Sequence, residues 1–350
     1  MTAFVFATCL PRSAAYLKRE LARSRPDLRL AYSRPGLLTM RTDDPPPELG
    51  DHPEPRAAFA RTSGRSLGFA DSLDKIEALA QTIDAPQLRL HVFARDPTDP
   101  DQQPEDHETT ARWRTEIGER LGARVIEGFD DADIGDTVLD VVLPQPGLTD
   151  PMLVGWHVHD EWRGSAPGGV RRVPVPEDVP SRAYSKLEEA LAWSRMPLHE
   201  GDTVVEIGSS PGGAAMSLLR RGANVIGIDP SRMDPRVLGW REPTGTFRHL
   251  GILAERVRTR DLPNVVDWLV LDANVAPHRA LVGLRQLVAL RSESIRGLLL
   301  TLKINDAGIV DDLPTLLEQI RELAGAPTLR ATQLPSAHQE VVVWAPRPRP

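Results

Sequence analysis

The chain holds 42 basic residues, of which only Lys18, Lys75, Lys186 and Lys303 are lysine; the other 38 are arginine. Arginine keeps its proton in any protein setting, whereas burial or a neighbouring cation can make a lysine give one up. A chain that uses arginine almost wherever a cation will do marks its few lysines as places where a proton can move. Lys303 is the best placed of the four. It follows the apolar run 298–302 and so leaves a buried strand at its carboxyl end, the edge at which open parallel sheets bind ligands. Lys186 lies in a helical stretch, SRAYSKLEEA, where an ordinary surface pair with Glu189 competes with a chemical role.

A second cluster sits where an apolar strand turns into a helix. Residues 206–213 read Glu206-Ile-Gly208-Ser209-Ser210-Pro211-Gly212-Gly213. Glycines let the backbone approach a ligand, and a helix start offers free N–H groups. The nicotinamide fingerprint G-x-G-x-x-G fails here, because Ser210 stands two residues after Gly208. Asp229 ends the next strand, where an acid can accept hydrogen bonds from a ribose diol. Alone, it could equally cap the turn before Pro230. The acid-x-Gly start, Pro-Gly-Gly and the strand-end acid together favour a cofactor that contains adenosine.

These residues carry a family resemblance. Residues 206–213 resemble the S-adenosylmethionine loop D-x-G-x-x-P-G-G of the FtsJ-type RNA ribose 2′-O-methyltransferases. Residues 181–190 look like the entry segment of the RlmM branch, which methylates a cytidine ribose of large-subunit ribosomal RNA. The resemblance is strong over 181–344. Glu206 stands where the family usually has Asp, and Ala214 where an aromatic is common. The family's Lys-Asp-Lys-Glu tetrad has a match at every position: Lys186, Asp272 in WLVLDANVAP, Lys303 in LLLTLKIND, and Glu340 in AHQEVVVWA. Taken singly, Asp272 could cap the following helix and Glu340 could be a strand-edge charge; the conjunction is the specific signal. The resemblance implies S-adenosylmethionine held by Glu206, Gly208, Ser209, Ser210, Pro211, Gly212, Gly213, Asp229 and Asp272. The mechanism expected on this basis has neutral Lys303 as the base that takes the hydroxyl proton, with Lys186 lowering its affinity for that proton and the two acids orienting the lysines; which lysine is the stronger acid stays open in the sequence.

The elements that must position these groups follow from periodicity. From residue 181 the pattern alternates helix with short apolar strands at 203–208, 224–229, 246–250, 266–272 and 298–304. That is the signature of a doubly wound α/β, Rossmann-like sheet. Strands at 328–334 and 340–344 close the chain as a hairpin. Before residue 181 the reading is a β-α-β-β unit over 1–42, a Pro-rich acidic linker over 43–59 and an α/β region over 60–170. Helices there are expected near 72–83 and 109–121. Strands are expected near 87–94, 137–143 and 152–159, with an acidic loop at 96–108. The family carries a ferredoxin-like domain and then a THUMP domain ahead of its catalytic domain, so the resemblance implies these identities for 1–42 and 60–170. The Rossmann-like domain is expected over 171–350, after the Gly- and Pro-rich stretch 164–180.

At 350 residues the chain has room for two or three domains, and its 41% hydrophobic and 26% charged residues are those of a soluble globular protein. No apolar run reaches the roughly 18 residues that a membrane helix needs. The start, MTAFVFATCLPR, lacks the basic stretch of a signal peptide and reads as a strand. A single cysteine, Cys9, excludes an internal disulfide and a multi-cysteine zinc site, which fits a cytoplasmic protein. His157 and His159 on one strand are thin grounds for a metal, and Trp193, Trp240 and Trp268 read as packing. Net charge is −7, unevenly spread: +6 over residues 1–42, −15 over 43–160 and +2 over 161–350. An RNA footprint would therefore sit on the first segment and on basic runs such as Arg256, Arg258 and Arg260. The acidic middle keeps a small-molecule or protein methyltransferase open as an alternative, and a non-catalytic RNA-binding or ribosome-assembly protein is the other. The family suggests a monomer or weak dimer.

Overall fold

The computed structural model describes residues 2–43, 54–96, 107–128, 130–145, 147–171, 173–304, 306–336 and 339–347. Most of the expected linker at 43–59 and of the acidic loop at 96–108 lies outside the described residues. The chain divides into two compact units, Met1–Arg171 and Arg172–Pro350.

The first unit contains β1 (Ala3–Thr8), α1 (Ala14–Ser24), β2 (Arg29–Arg34), β3 (Leu37–Thr42), β4 (Thr62–Ala70), α2 (Leu73–Ala80), β5 (Arg89–Ala94), α3 (His107–Leu121), β6 (Thr137–Leu143) and β7 (Met152–Val158). Its strands form one sheet in the order β2-β3-β1-β4-β7-β6-β5. Because β1 pairs with β3 on one side and β4 on the other, the strands of residues 1–42 and of the following region are continuous. Sequence reading missed β4. Its TSGRSLGFA lacks clean alternation, and two glycines weaken the strand signal. Packing accounts for Gly64: a Cβ there would fall 2.6 Å from the Trp156 carbonyl oxygen and 2.7 Å from the Phe6 ring.

The second unit contains α4 (Ala183–Ser194), β8 (Thr203–Ile207), α5 (Gly213–Arg220), β9 (Asn224–Ile228), α6 (Pro235–Leu238), β10 (Thr246–Leu250), β11 (Trp268–Leu271), α7 (Pro277–Arg291), β12 (Gly297–Lys303), α8 (Ala307–Ala324), β13 (Arg330–Thr332) and β14 (Glu340–Pro346). The sheet order is β10-β9-β8-β11-β12-β14-β13. Strands β8 to β12 run parallel, and β14 lies antiparallel to both β12 and β13. This is the expected α/β Rossmann-like architecture. Among the parallel strands, chain order runs outward in both directions from the β8–β11 junction, so the crevice there is the switch point at which such sheets bind ligands.

Burial on both faces explains why these strands read as apolar runs. Val204, Val225, Val270, Leu299 and Val342 share one core with Leu187 and Leu191 of α4 and Leu218 of α5. The alternate residues Val205, Leu269, Leu271, Leu300 and Leu302 point to the other face and are buried as well. Each such side chain contributes about 1.5–3 kcal/mol of burial free energy. Trp193 and Trp268 lie in this core, as packing residues do.

Candidate active site

The strand ends bring the sequence-identified residues together. Backbone bonds lace three strand ends: Gly208 N–H donates to Ile228 O and Asp272 N–H to Ile207 O, both at 3.0 Å. Gly208 has φ +83°, and a Cβ there would lie 2.5 Å from Asp272 O and 2.6 Å from Ala273 Cα. Only glycine lets the chain turn that close to the β11 end. A cavity of about 460 Å³ opens at this edge, lined among others by Glu206, Gly208, Ser210, Asp229, Asp272 and Lys303. That volume suits a ligand of nucleoside size. Ser209 also lines it, whereas Pro211, Gly212 and Gly213 do not and instead make the turn into α5.

Asp229 shapes the loop as well as the wall. Its carboxylate accepts the Ser210 N–H at 3.2 Å and the Ser231 N–H at 2.7 Å. It does not cap α6, whose start is capped by Asp234. Glu206 is fully buried, with Oε2 accepting the Ser209 hydroxyl at 2.6 Å. Burial pushes its carboxyl up to about 8, the Ser209 hydrogen bond opposes this, and the charges of Asp272 and Asp229 add to it. Glu206 is therefore mostly a neutral acid at pH 7.

Lys186 and Lys303 meet at one oxygen of Glu340, and Asp272 joins the cluster through Lys303. Lys186 Nζ donates to Glu340 Oε1 at 2.7 Å, and Lys303 Nζ donates to the same Oε1. Lys303 also reaches Asp272 Oδ1 at 3.1 Å. Glu340 Oε2 is buried and has no hydrogen-bond partner among the described residues. Lys303, Asp272 and Glu340 are 12%, 15% and 9% exposed, against 27% for Lys186. The simpler alternatives do not describe this site: Lys186 pairs with Glu340, α7 begins after Ala276 rather than at Asp272, and Glu340 is buried. Of the four, Asp272 and Lys303 line the cavity, and Lys186 and Glu340 do not.

The charges set the protonation of the cluster. Burial works to lower the Lys303 pKa, but the carboxylates of Asp272 and Glu340 outweigh it and hold the lysine above its ordinary value. Burial would raise Glu340, yet the hydrogen bonds from both lysines outweigh it and hold the carboxyl below its usual range. In this state Lys303 is an ammonium.

Residues 179–290 match the family described as FtsJ-like methyltransferase. Lys186, Asp272 and residues 206–213 fall inside the matched residues, and Lys303 and Glu340 follow them. Over 196 residues the chain is 30% identical to a protein named ribosomal RNA large subunit methyltransferase M from Laribacter hongkongensis, covering 54% of each chain. It is 32% identical over 183 residues to the protein of the same name from Tolumonas auensis, covering 50% of this chain and 48% of that one. The chain thus spans about half the length of the curated relatives it matches. Among solved structures, TrmN from Thermus thermophilus is 15% identical with a TM-score of 0.35, covering 99% of this chain and all of that one.

Within the matched residues 179–290, sequence reading missed part of the cavity wall. Ile252 and Leu253 follow β10, and Asn274 and Val275 follow β11. Arg279 of α7 pairs with Glu255 at 2.5 Å, and both line the cavity. The available signal was their place just beyond the carboxyl ends of parallel strands. In the other unit, His157 gives its Nδ1 to Asp140 Oδ2 at 2.6 Å. No group of three or more candidate ligands that could hold a metal occurs among the described residues, and no helix there is long and apolar enough to cross a membrane.

Proposed function

We propose that the chain is an S-adenosylmethionine-dependent RNA ribose 2′-O-methyltransferase acting on large-subunit ribosomal RNA. The observation that carries this reading is the sharing of Glu340 Oε1 by two lysines, in a chain with only four, beside the cavity of an FtsJ-like domain. The names of the relatives support the RNA substrate. THUMP-like RNA binding by the 60–170 region belongs to the same proposal.

The cavity fits S-adenosylmethionine in size and chemistry. Asp229 keeps acceptor capacity for a ribose diol, Ile252, Leu253 and Val275 offer apolar wall to a flat ring, and Asp272 brings a carboxylate toward a cationic ligand. Bound there, S-adenosylmethionine supplies an electrophilic methyl on a sulfonium. The chain's own part is to orient the ribose hydroxyl and accept its proton. Lys303 is the group that does both, because it alone of the two tetrad lysines lines the cavity. Its ammonium form holds the hydroxyl oxygen, and its minority neutral form takes the proton. Lys186, by sharing Glu340 Oε1, reduces the negative field that keeps Lys303 protonated. Asp272 and Glu340 fix the direction of the Lys303 amine.

The test is transfer of tritiated methyl from S-adenosylmethionine into total RNA of a strain lacking the protein. Label in large-subunit rRNA, at one site resistant to alkaline cleavage, supports the reading. Absence of label despite measurable cofactor binding would move the substrate to a protein or small molecule.

A further inference from the structure

The helix that carries Lys186 also carries two consecutive acids, Glu188 and Glu189, that the proposed chemistry does not use. Glu188 reaches α5. Its Oε1 accepts the Ser217 hydroxyl at 2.6 Å, and its Oε2 meets Arg221 Nη2 at 2.5 Å. Glu189 reaches the segment between β13 and β14 instead. Its Oε2 accepts both the backbone N–H of Ser336 at 3.0 Å and the Ser336 hydroxyl at 2.6 Å. Glu189 is buried, in a stretch of α4 where Leu187, Ala190 and Leu191 join the core.

A buried carboxyl group is costly unless hydrogen bonds compensate it, and two bonds from one residue, Ser336, contribute to that in a single geometry. That geometry has a direction. Lys186 and Glu189 are one helical turn apart on α4 and face the same way. Ser336 and Glu340 are four residues apart in the segment opposite. The Glu189–Ser336 and Lys186–Glu340 contacts are therefore two neighbouring ties between the same pair of elements. A third lies toward the end of α4, where Arg330 of β13 donates to Ser194 O at 2.7 Å and its guanidinium lies over the Trp193 ring.

We infer that Glu189 is a positioning residue for the lysine pair. It ties Ser336 to α4, so that Glu340 Oε1 stays within reach of both Lys186 and Lys303. Without that tie Lys186 withdraws from Glu340, Lys303 feels the full carboxylate, and its proton becomes harder to remove. This inference rests on the reading that Lys303 handles the hydroxyl proton. Glu189 and Ser336 do not line the cofactor cavity, so their effect is separable from cofactor binding.

Four lysines make the test direct, since a lysine-labelled sample gives four side-chain NMR signals, assignable with Lys→Arg variants. Glu189→Ala, Ser336→Ala and Glu189→Gln are compared in the full chain for melting temperature, S-adenosylmethionine affinity, kcat and KM for RNA, and the lysine side-chain signals. In the two alanine variants the Lys186 signal moves toward that of a free lysine and kcat falls by about tenfold or more, the order expected for a small misplacement. Cofactor affinity stays within about twofold, because the cavity is untouched. Glu189→Gln, whose amide oxygen accepts the same two hydrogen bonds, restores the lysine signals and most of kcat. Unmoved lysine signals in folded alanine variants overturn the inference. So does a loss of kcat that only tracks a loss of cofactor affinity and melting temperature. Where Glu189→Ala fails to fold, Ser336→Ala decides. Where the unaltered chain methylates no RNA, the methylation reading fails, and the lysine signals still decide whether Glu189 sets the position of Lys186.

Discussion

Lys303 and Glu340 face each other across the antiparallel pair β12–β14, the last residue of one strand opposite the first of the other. Thirty-seven residues separate them in the chain, yet strand register alone makes them neighbours. Lys303→Ala is expected to lower methyl transfer by about 10²- to 10⁴-fold, the range of a lost general base. Lys303→Arg is expected to be nearly as poor, because it keeps the charge and the hydrogen bonds but cannot release a proton. Both should bind S-adenosylmethionine almost normally by calorimetry. Near-normal turnover in either would remove Lys303 from the mechanism.

The pH dependence follows from the two carboxylates beside that lysine. They hold the Lys303 pKa above its ordinary value, so the neutral form is a minority throughout the neutral range. Its share grows about tenfold per pH unit below that pKa. Single-turnover methylation with cofactor saturating should therefore rise with unit slope in log rate from pH 6.5 to 9, without a plateau near pH 7. A rate that is flat across this window would mean that a group already deprotonated at neutral pH takes the proton. Glu340→Gln should move the rise toward lower pH, since it removes one of the two charges that stabilise the ammonium.

Glu206 gives a prediction about stability. Its pKa is near 8 when folded, against the ordinary carboxylate value when unfolded, so the folded protein holds an extra proton between those limits. Stability falls with rising pH wherever the folded state binds more protons, which here means from about pH 4.5 up through about pH 8. Glu206→Gln mimics the neutral acid and can still accept the Ser209 hydrogen bond. Without cofactor, it should melt several degrees above the unaltered chain at pH 8, and the gap should close toward pH 5. A constant gap across that range would show that ionisation of Glu206 is not its source.

Much of this site was legible from residue types. The scarcity of lysine narrowed the candidates to four, the family resemblance chose Lys186 and Lys303 among them, and the strand-end pattern put Asp229, Asp272 and Lys303 at one edge. What pairing adds could not be read locally. Glu340 receives Lys186 from 154 residues away, and Glu189 holds Ser336 from 147 residues away, through a strand order that no window of sequence contains. For the same reason a surface pair between Lys186 and Glu189 looked reasonable on helical spacing alone. The sign of the Lys303 shift also depends on how closely two carboxylates approach it, which strand-end position does not specify. Strand β4 escaped because Gly64 is there for the Phe6 ring and the Trp156 backbone, partners known only once the sheet is assembled.

The backbone turn that makes the cavity can be tested at a single atom. Gly208→Ala adds a methyl at φ +83°, against Asp272 O at 2.5 Å and Ala273 Cα at 2.6 Å. Both obstacles are backbone, so no rotamer change relieves them. Strain of about 1–3 kcal/mol from the left-handed conformation adds to the cost of pushing the two strand ends apart. That displacement moves Asp272, and with it the Lys303 amine. The variant should melt lower, lose at least about tenfold in S-adenosylmethionine affinity, and lose more in kcat than in cofactor affinity, since small displacements at reacting groups are amplified in rate. Gly201→Ala is the control, because its φ of +86° carries similar backbone strain while a Cβ there meets nothing within 4 Å. It should share the drop in melting temperature and leave cofactor binding and turnover alone. Equal losses of affinity in the two variants would mean that general strain, rather than closure of the β8 turn on the β11 end, governs cofactor binding.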